Sequence, residues 1–191
     1  PTERGFTTDV LALYDWAKAR SGNSSILFWG HSLGTGIATN AARKLQEERG
    51  VQVDAVVLES PYTNIREAAA HIPITKIYRQ FPGFGYLILD SLARADMFFR
   101  SDEKPVPVLS AVLVAHSVKV LACPLLILHA EDDGVVPPHL GRELYETAHN
   151  AYKDKTKVKF ITFPEKLRLG HDYISSNPEL PALVKDFLNM K

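Results

Sequence analysis

With 191 residues and 46% hydrophobic side chains, the chain is long enough for one domain with a sizeable core. Its 22 basic and 22 acidic residues cancel, so no polybasic surface for nucleic acid or for a membrane is expected. The lone Cys123 excludes an internal disulfide, and the longest mostly apolar run, 105–115, is too short to span a bilayer.

The chain opens on Pro1 and not Met, which is expected of a fragment or of a processed or trimmed chain, and no charged-then-apolar leader of a signal peptide follows. Residues 8–20 read as a helix with Val10, Leu13, Tyr14 and Ala17 on one face. Asn23-Ser24-Ser25 is an acceptor pattern for N-glycosylation. Residues 26–29 form a short apolar strand, and 33–49 a helix through Ile37, Ala38, Ala41, Ala42 and Leu45, stopped by Gly50. A second strand follows at 53–58 and a third at 124–129. A helix is expected at 140–152, a fourth strand at 158–163 and a closing helix at 180–190. This alternation predicts an α/β fold, with parallel strands joined by right-handed crossovers and covered on both faces.

Residues 64–101 break the rhythm with Pro, Gly and aromatic side chains, among them Phe81, Phe84, Tyr86, Phe98 and Phe99. The expectation is one domain over 1–191, carrying a cap-like insertion at 64–117 above an apolar pocket.

Between the first strand and its helix stands Gly30-His31-Ser32-Leu33-Gly34, a Gly-X-Ser-X-Gly pattern on a strand–turn–helix. Such a turn lifts the Ser32 hydroxyl off the backbone, and its two glycines are expected to leave room where side chains would clash. Ser32 then sits at a helix N-terminus that favours developing negative charge. A serine nucleophile needs a base and a group that orients the base. In this architecture the chain order is Ser, acid, His.

The acid is expected just past the strand at 124–129, where Glu131, Asp132 and Asp133 follow one another. Asp133 is favoured at the turn made by Gly134 and Pro137, ahead of Asp132 and then Glu131. Of the histidines that follow, His139 lies too near the acid and His149 sits inside a helix. His171, in the loop between the last strand and the last helix, is the expected base, with a pKa suited to proton transfer near neutrality. The backbone N–H of Leu33 is one oxyanion donor. A second belongs on a loop after an earlier strand, and no strand is expected before residue 8.

Together these segments resemble the abhydrolase-domain-containing 12 group of α/β-hydrolases, and its B paralogue more closely. The resemblance rests on Phe28 to Gly36, on Leu58-Glu59-Ser60-Pro61-Tyr62-Thr63-Asn64-Ile65-Arg66-Glu67, on Tyr78 to Phe84, on Cys123 to Pro137 and on His171-Asp172-Tyr173-Ile174. It implies a serine hydrolase acting on monoacylglycerols or lysophospholipids such as lysophosphatidylserine. Ser32 would be its nucleophile, Asp133 its acid and His171 its base. No cofactor, metal or nucleic-acid partner is expected. The resemblance further implies the C-terminal part of a protein held at the endoplasmic reticulum membrane by an upstream segment. Residues 104–117 look like extra sequence relative to that group. Two alternatives remain: a truncated, non-catalytic form that binds an acyl lipid or a partner, and an esterase or thioesterase for small acyl substrates.

Overall fold

The computed structural model describes residues 3–63 and 109–189. Four strands, β1 (Leu27–His31), β2 (Ala55–Glu59), β3 (Leu125–Ala130) and β4 (Val158–Phe163), form one sheet in the order β1-β2-β3-β4. Every neighbouring pair is parallel, with Leu27 opposite Ala55, Val56 opposite Leu125 and Leu125 opposite Val158. All four C-terminal ends therefore open on one edge of the sheet, where α/β folds place their ligands. The helices are α1 (Glu3–Lys18), α2 (Leu33–Arg49), α3 (Leu109–Val120), α4 (Pro138–Ala151) and α5 (Leu180–Asn189).

Period-two alternation sorts the strand side chains into two cores. Val56, Leu58, Leu125 and Ile127 point to one face, where they pack with Ala41 and Leu45 of α2, Val118 of α3 and Leu144 of α4. Ala55, Val57, Leu126 and Leu128 point to the other, against Ile174 and against Leu180 and Phe187 of α5. Strands β2 and β3 are buried at every position, which is why they read as continuous apolar runs.

Polar side chains fix the joints. Asp54 accepts the Ile26 N–H at 2.8 Å and so aligns the starts of β1 and β2. Gln46 of α2 donates to the Val120 carbonyl and accepts the Ala122 N–H, clamping the end of α3 where the chain enters β3. Gly50, at φ 64°, closes α2 with the left-handed cap that glycine supplies at little steric cost.

Three expectations shift. The first helix starts earlier, at Glu3, and buries Tyr14 while leaving Leu13 64% exposed beside Trp16 at 60%. The first strand runs on through Gly30 and His31, so Ser32 is the first residue beyond it. Of the run 104–117, residues from 109 onward form α3, which packs against α2 and α4 with Val114 and Val118 buried. The rest of the expected cap, 64–108, lies outside the described residues.

Candidate active site

At the end of β1 the chain turns into α2 through a single residue. Ser32 takes φ 50° and ψ −118°, a conformation that costs a non-glycine residue on the order of 1–3 kcal/mol. The surroundings hold it there. Its N–H donates to the Glu59 carbonyl at 3.0 Å, and its carbonyl accepts the Thr35 N–H at 3.0 Å and the Thr35 hydroxyl at 2.6 Å. The two motif glycines are not equivalent. A Cβ on Gly30 would lie 2.4 Å from the Gly34 carbonyl oxygen and 2.8 Å from the Thr35 Cα, so β1 and α2 cannot meet unless residue 30 is glycine. A Cβ on Gly34 would meet nothing within 4 Å among the described residues, which corrects the expectation that both glycines relieve a clash. Leu33 is the first residue of α2, so its N–H is one of those a helix start leaves for other partners.

The second element is the loop after β4. Arg168 and Gly170 both adopt left-handed conformations, with φ 52° and 53°, and turn the chain back over the sheet edge. Asp132 accepts the Gly170 N–H at 3.0 Å and ties this loop to the one after β3. His171 Nε2 then stands 3.0 Å from Ser32 Oγ, and its Nδ1 stands 2.9 Å from Asp133 Oδ2. A carboxylate only accepts, so Nδ1 carries the hydrogen and Nε2 is left to accept the serine hydroxyl. The His171 carbonyl accepts from His31 Nε2 at 2.9 Å, and the two imidazoles face each other with centroids 4.9 Å apart.

Asp133 is the third. Its side chain is fully buried at the turn after β3. Its Oδ1 accepts the N–H groups of Val135 and Val136 at 2.9 and 2.8 Å. Burial pushes this carboxyl up, but hydrogen bonds from His129, His171 and the two backbone amides outweigh it and hold the group well below the usual carboxylate range. For His171, burial alone favours the neutral ring. The Asp133 hydrogen bond and charge, with smaller contributions from Asp172 and Glu59, prevail and raise its pKa above the ordinary imidazole value. Glu59, buried at the end of β2, accepts the Trp29 indole N–H at 3.1 Å.

The sequence order thus picks three residues that the fold brings within hydrogen-bond reach. The other candidates fall elsewhere. Glu131 is exposed, and His139 is exposed in the first turn of α4. His149 lies against Tyr145 with ring centroids 5.2 Å apart. Asp132 serves the site through Gly170 rather than through His171. Pattern reasoning missed His129, a buried neighbour of Asp133, because a strand residue reads as core until its contacts are seen. His31, His171 and Asp172 bring ligand atoms within 4.8 Å of one another, but both His171 nitrogens already serve Asp133 and Ser32. That cluster is therefore the rim of this same site.

A strained serine between strand and helix, with an imidazole and a carboxylate from loops on the same sheet edge, is the arrangement of the α/β-hydrolase fold. The family model described as serine aminopeptidase, S33, matches residues 2–96. The esterase Pf2001 of Pyrococcus furiosus shares the fold at TM-score 0.62 and 16% identity, over 96% of this chain and 60% of that one. Among curated proteins, the chain is similar to ABHD12 proteins. It is 47% identical to human protein ABHD12B, over 99% of this chain and 48% of the relative. It is 48% identical to mouse lysophosphatidylserine lipase ABHD12, over 98% of this chain and 44% of the relative. The chain thus spans about half the length of the curated relatives it matches.

Proposed function

We propose that the protein is a serine hydrolase that cleaves the acyl ester of monoacyl lipids, monoacylglycerol or lysophospholipid, through an acyl-enzyme. The observation that carries this reading is the continuous chain of hydrogen bonds from Ser32 Oγ through His171 to Asp133, at 3.0 and 2.9 Å. Ser32 Oγ attacks the ester carbonyl carbon while His171 Nε2 takes its proton. The oxyanion that forms is met by the Leu33 N–H, with a second donor from outside the described residues. Collapse expels the alcohol, protonated by His171, and leaves the acyl group on Ser32. Water, activated by the same nitrogen, then releases the fatty acid and restores the serine. Asp133 stays ionised throughout and holds the imidazole in one tautomer.

The lipid substrate is supported by the similarity to mouse ABHD12, a lysophosphatidylserine lipase. Apolar side chains in the sequence between Ile72 and Phe99 agree with a single long acyl chain. Location at the endoplasmic reticulum membrane belongs to the same reading. Among the described residues no helix is long and apolar enough to cross a membrane. The test is fatty-acid release by the full-length protein from monooleoylglycerol and oleoyl lysophosphatidylserine, against a short-chain acetyl ester. Preference for the oleoyl substrates, lost in Ser32→Ala, is expected. Equal rates on acetyl and oleoyl esters would favour a small-ester esterase, and no Ser32-dependent release would favour a binding role.

A further inference from the structure

We propose that His129 is the positioning residue for Asp133, supplying a second imidazole N–H to the carboxylate that His171 uses. This rests on the hydrolase reading above. His129 is the fifth residue of β3 and is completely buried. Its Nε2 lies 2.9 Å from the Val136 carbonyl and 3.4 Å from Asp133 Oδ2. Both are acceptors when Asp133 is ionised, so Nε2 must carry the hydrogen. Its Nδ1 is buried with no hydrogen-bond partner among the described residues.

Packing alone does not account for an imidazole here. An apolar side chain would fill the space and leave no buried nitrogen orphaned, an arrangement that is unfavourable. The Nε2–H supplies the reason. It reaches both ends of the turn that presents the acid: the carboxylate of Asp133 and the carbonyl of Val136, whose own N–H binds Asp133 Oδ1. Oδ1 is thereby held by two backbone amides and Oδ2 by His171 Nδ1, with His129 Nε2 standing 3.4 Å from the same oxygen. The ring itself is seated on α4, where a Cβ added at Gly141 would come within 2.3 Å of its Nδ1.

The test is steady-state hydrolysis by the full-length protein, with Tm measured for each variant. His129→Leu keeps the volume and removes the N–H, and kcat is expected to fall by about tenfold or more with KM unchanged, as for an interaction strengthened in the transition state. His129→Gln, whose amide can donate from a similar place, should recover most of that loss. Should His129→Leu not fold, Gly141→Ala carries the test: it displaces the ring without deleting it, and should lower kcat in the same way. The proposal is overturned by wild-type kcat in His129→Leu or in Gly141→Ala, or by a Gln variant as impaired as Leu at equal Tm. An inactive wild type, or one untouched by Ser32→Ala, overturns the hydrolase reading and this proposal together. Ser32-dependent activity indifferent to His129 overturns only the latter.

Discussion

At the scale of single residues, one histidine and one carboxylate set the proton chemistry of the proposed reaction. The His171 pKa stands above its ordinary value because Asp133 outweighs burial. A base works only when neutral, so kcat/KM should rise with pH through an inflection above about 6.5, the unperturbed imidazole value. Asp133→Asn removes the charge that raises the ring and leaves burial, which lowers it. The inflection should then move to lower pH while kcat drops steeply, by about 10⁴-fold on the precedent of other triads. A pH–rate profile on a reactive ester checks both, and an inflection that stays put in Asp133→Asn would contradict the electrostatic account. The same pair links pH to folding with opposite signs. Asp133, with its lowered pKa, contributes stability that is present above the ordinary carboxylate range and lost as pH falls through the folded-state value. His171, with its raised pKa, contributes stability that is present below the ordinary imidazole value and lost as pH rises through the folded-state value.

At the scale of elements, the junction of β1 with α2 carries the design. Gly30 is required by backbone contact, and among the described residues Gly34 is not. Gly30→Ala should therefore lower Tm sharply or prevent folding, since the atoms it meets are main chain and cannot swing aside. Gly34→Ala should be tolerated with little change in stability, because Gly34 is the second residue of α2, ahead of the helix interior where glycine costs most. Thermal melts of the two variants decide it, and equal losses would contradict this asymmetry. Sequence patterning reaches this level well where the signal is local. The apolar runs of β2 and β3, the Gly50 stop and the Gly-X-Ser-X-Gly turn each lie within a few residues and have one physical meaning. The chain order of Ser32, Asp133 and His171 adds a filter that needs no contacts. Patterning fails where partners come from distant segments. The tether from Asp132 to Gly170 spans 38 residues, and the bond from His129 to the Val136 carbonyl depends on how the turn folds back. Leu13 misleads for a related reason: its place on the apolar face of α1 is correct, but that face is wider than the surface it covers.

At the scale of the molecule, the described residues cover the two cores unequally: α1 to α4 pack on one and α5 with a 3-10 turn on the other. Beside β1, an apolar groove of about 400 Å³ runs between Val10, Leu13 and Tyr14 of α1 and Ile26, Phe28 and Trp29. Trp29 is 45% exposed there, and β1 is the first strand in the sheet order. A strand edge with exposed apolar side chains pairs readily with another chain. The 191-residue chain on its own should therefore self-associate with rising concentration, and Leu13→Glu with Trp16→Glu should suppress this. Size-exclusion elution that is independent of concentration in the unmodified chain would contradict it. We propose that this fold makes Ser32 a nucleophile. The most direct test of this is labelling of the full-length protein by a fluorophosphonate, which reacts only with an activated serine. Labelling of the wild type that disappears in Ser32→Ala, and is strongly slowed in His171→Ala, is the result expected. An unlabelled wild type, or a Ser32→Ala protein labelled as fast as the wild type, would contradict the account.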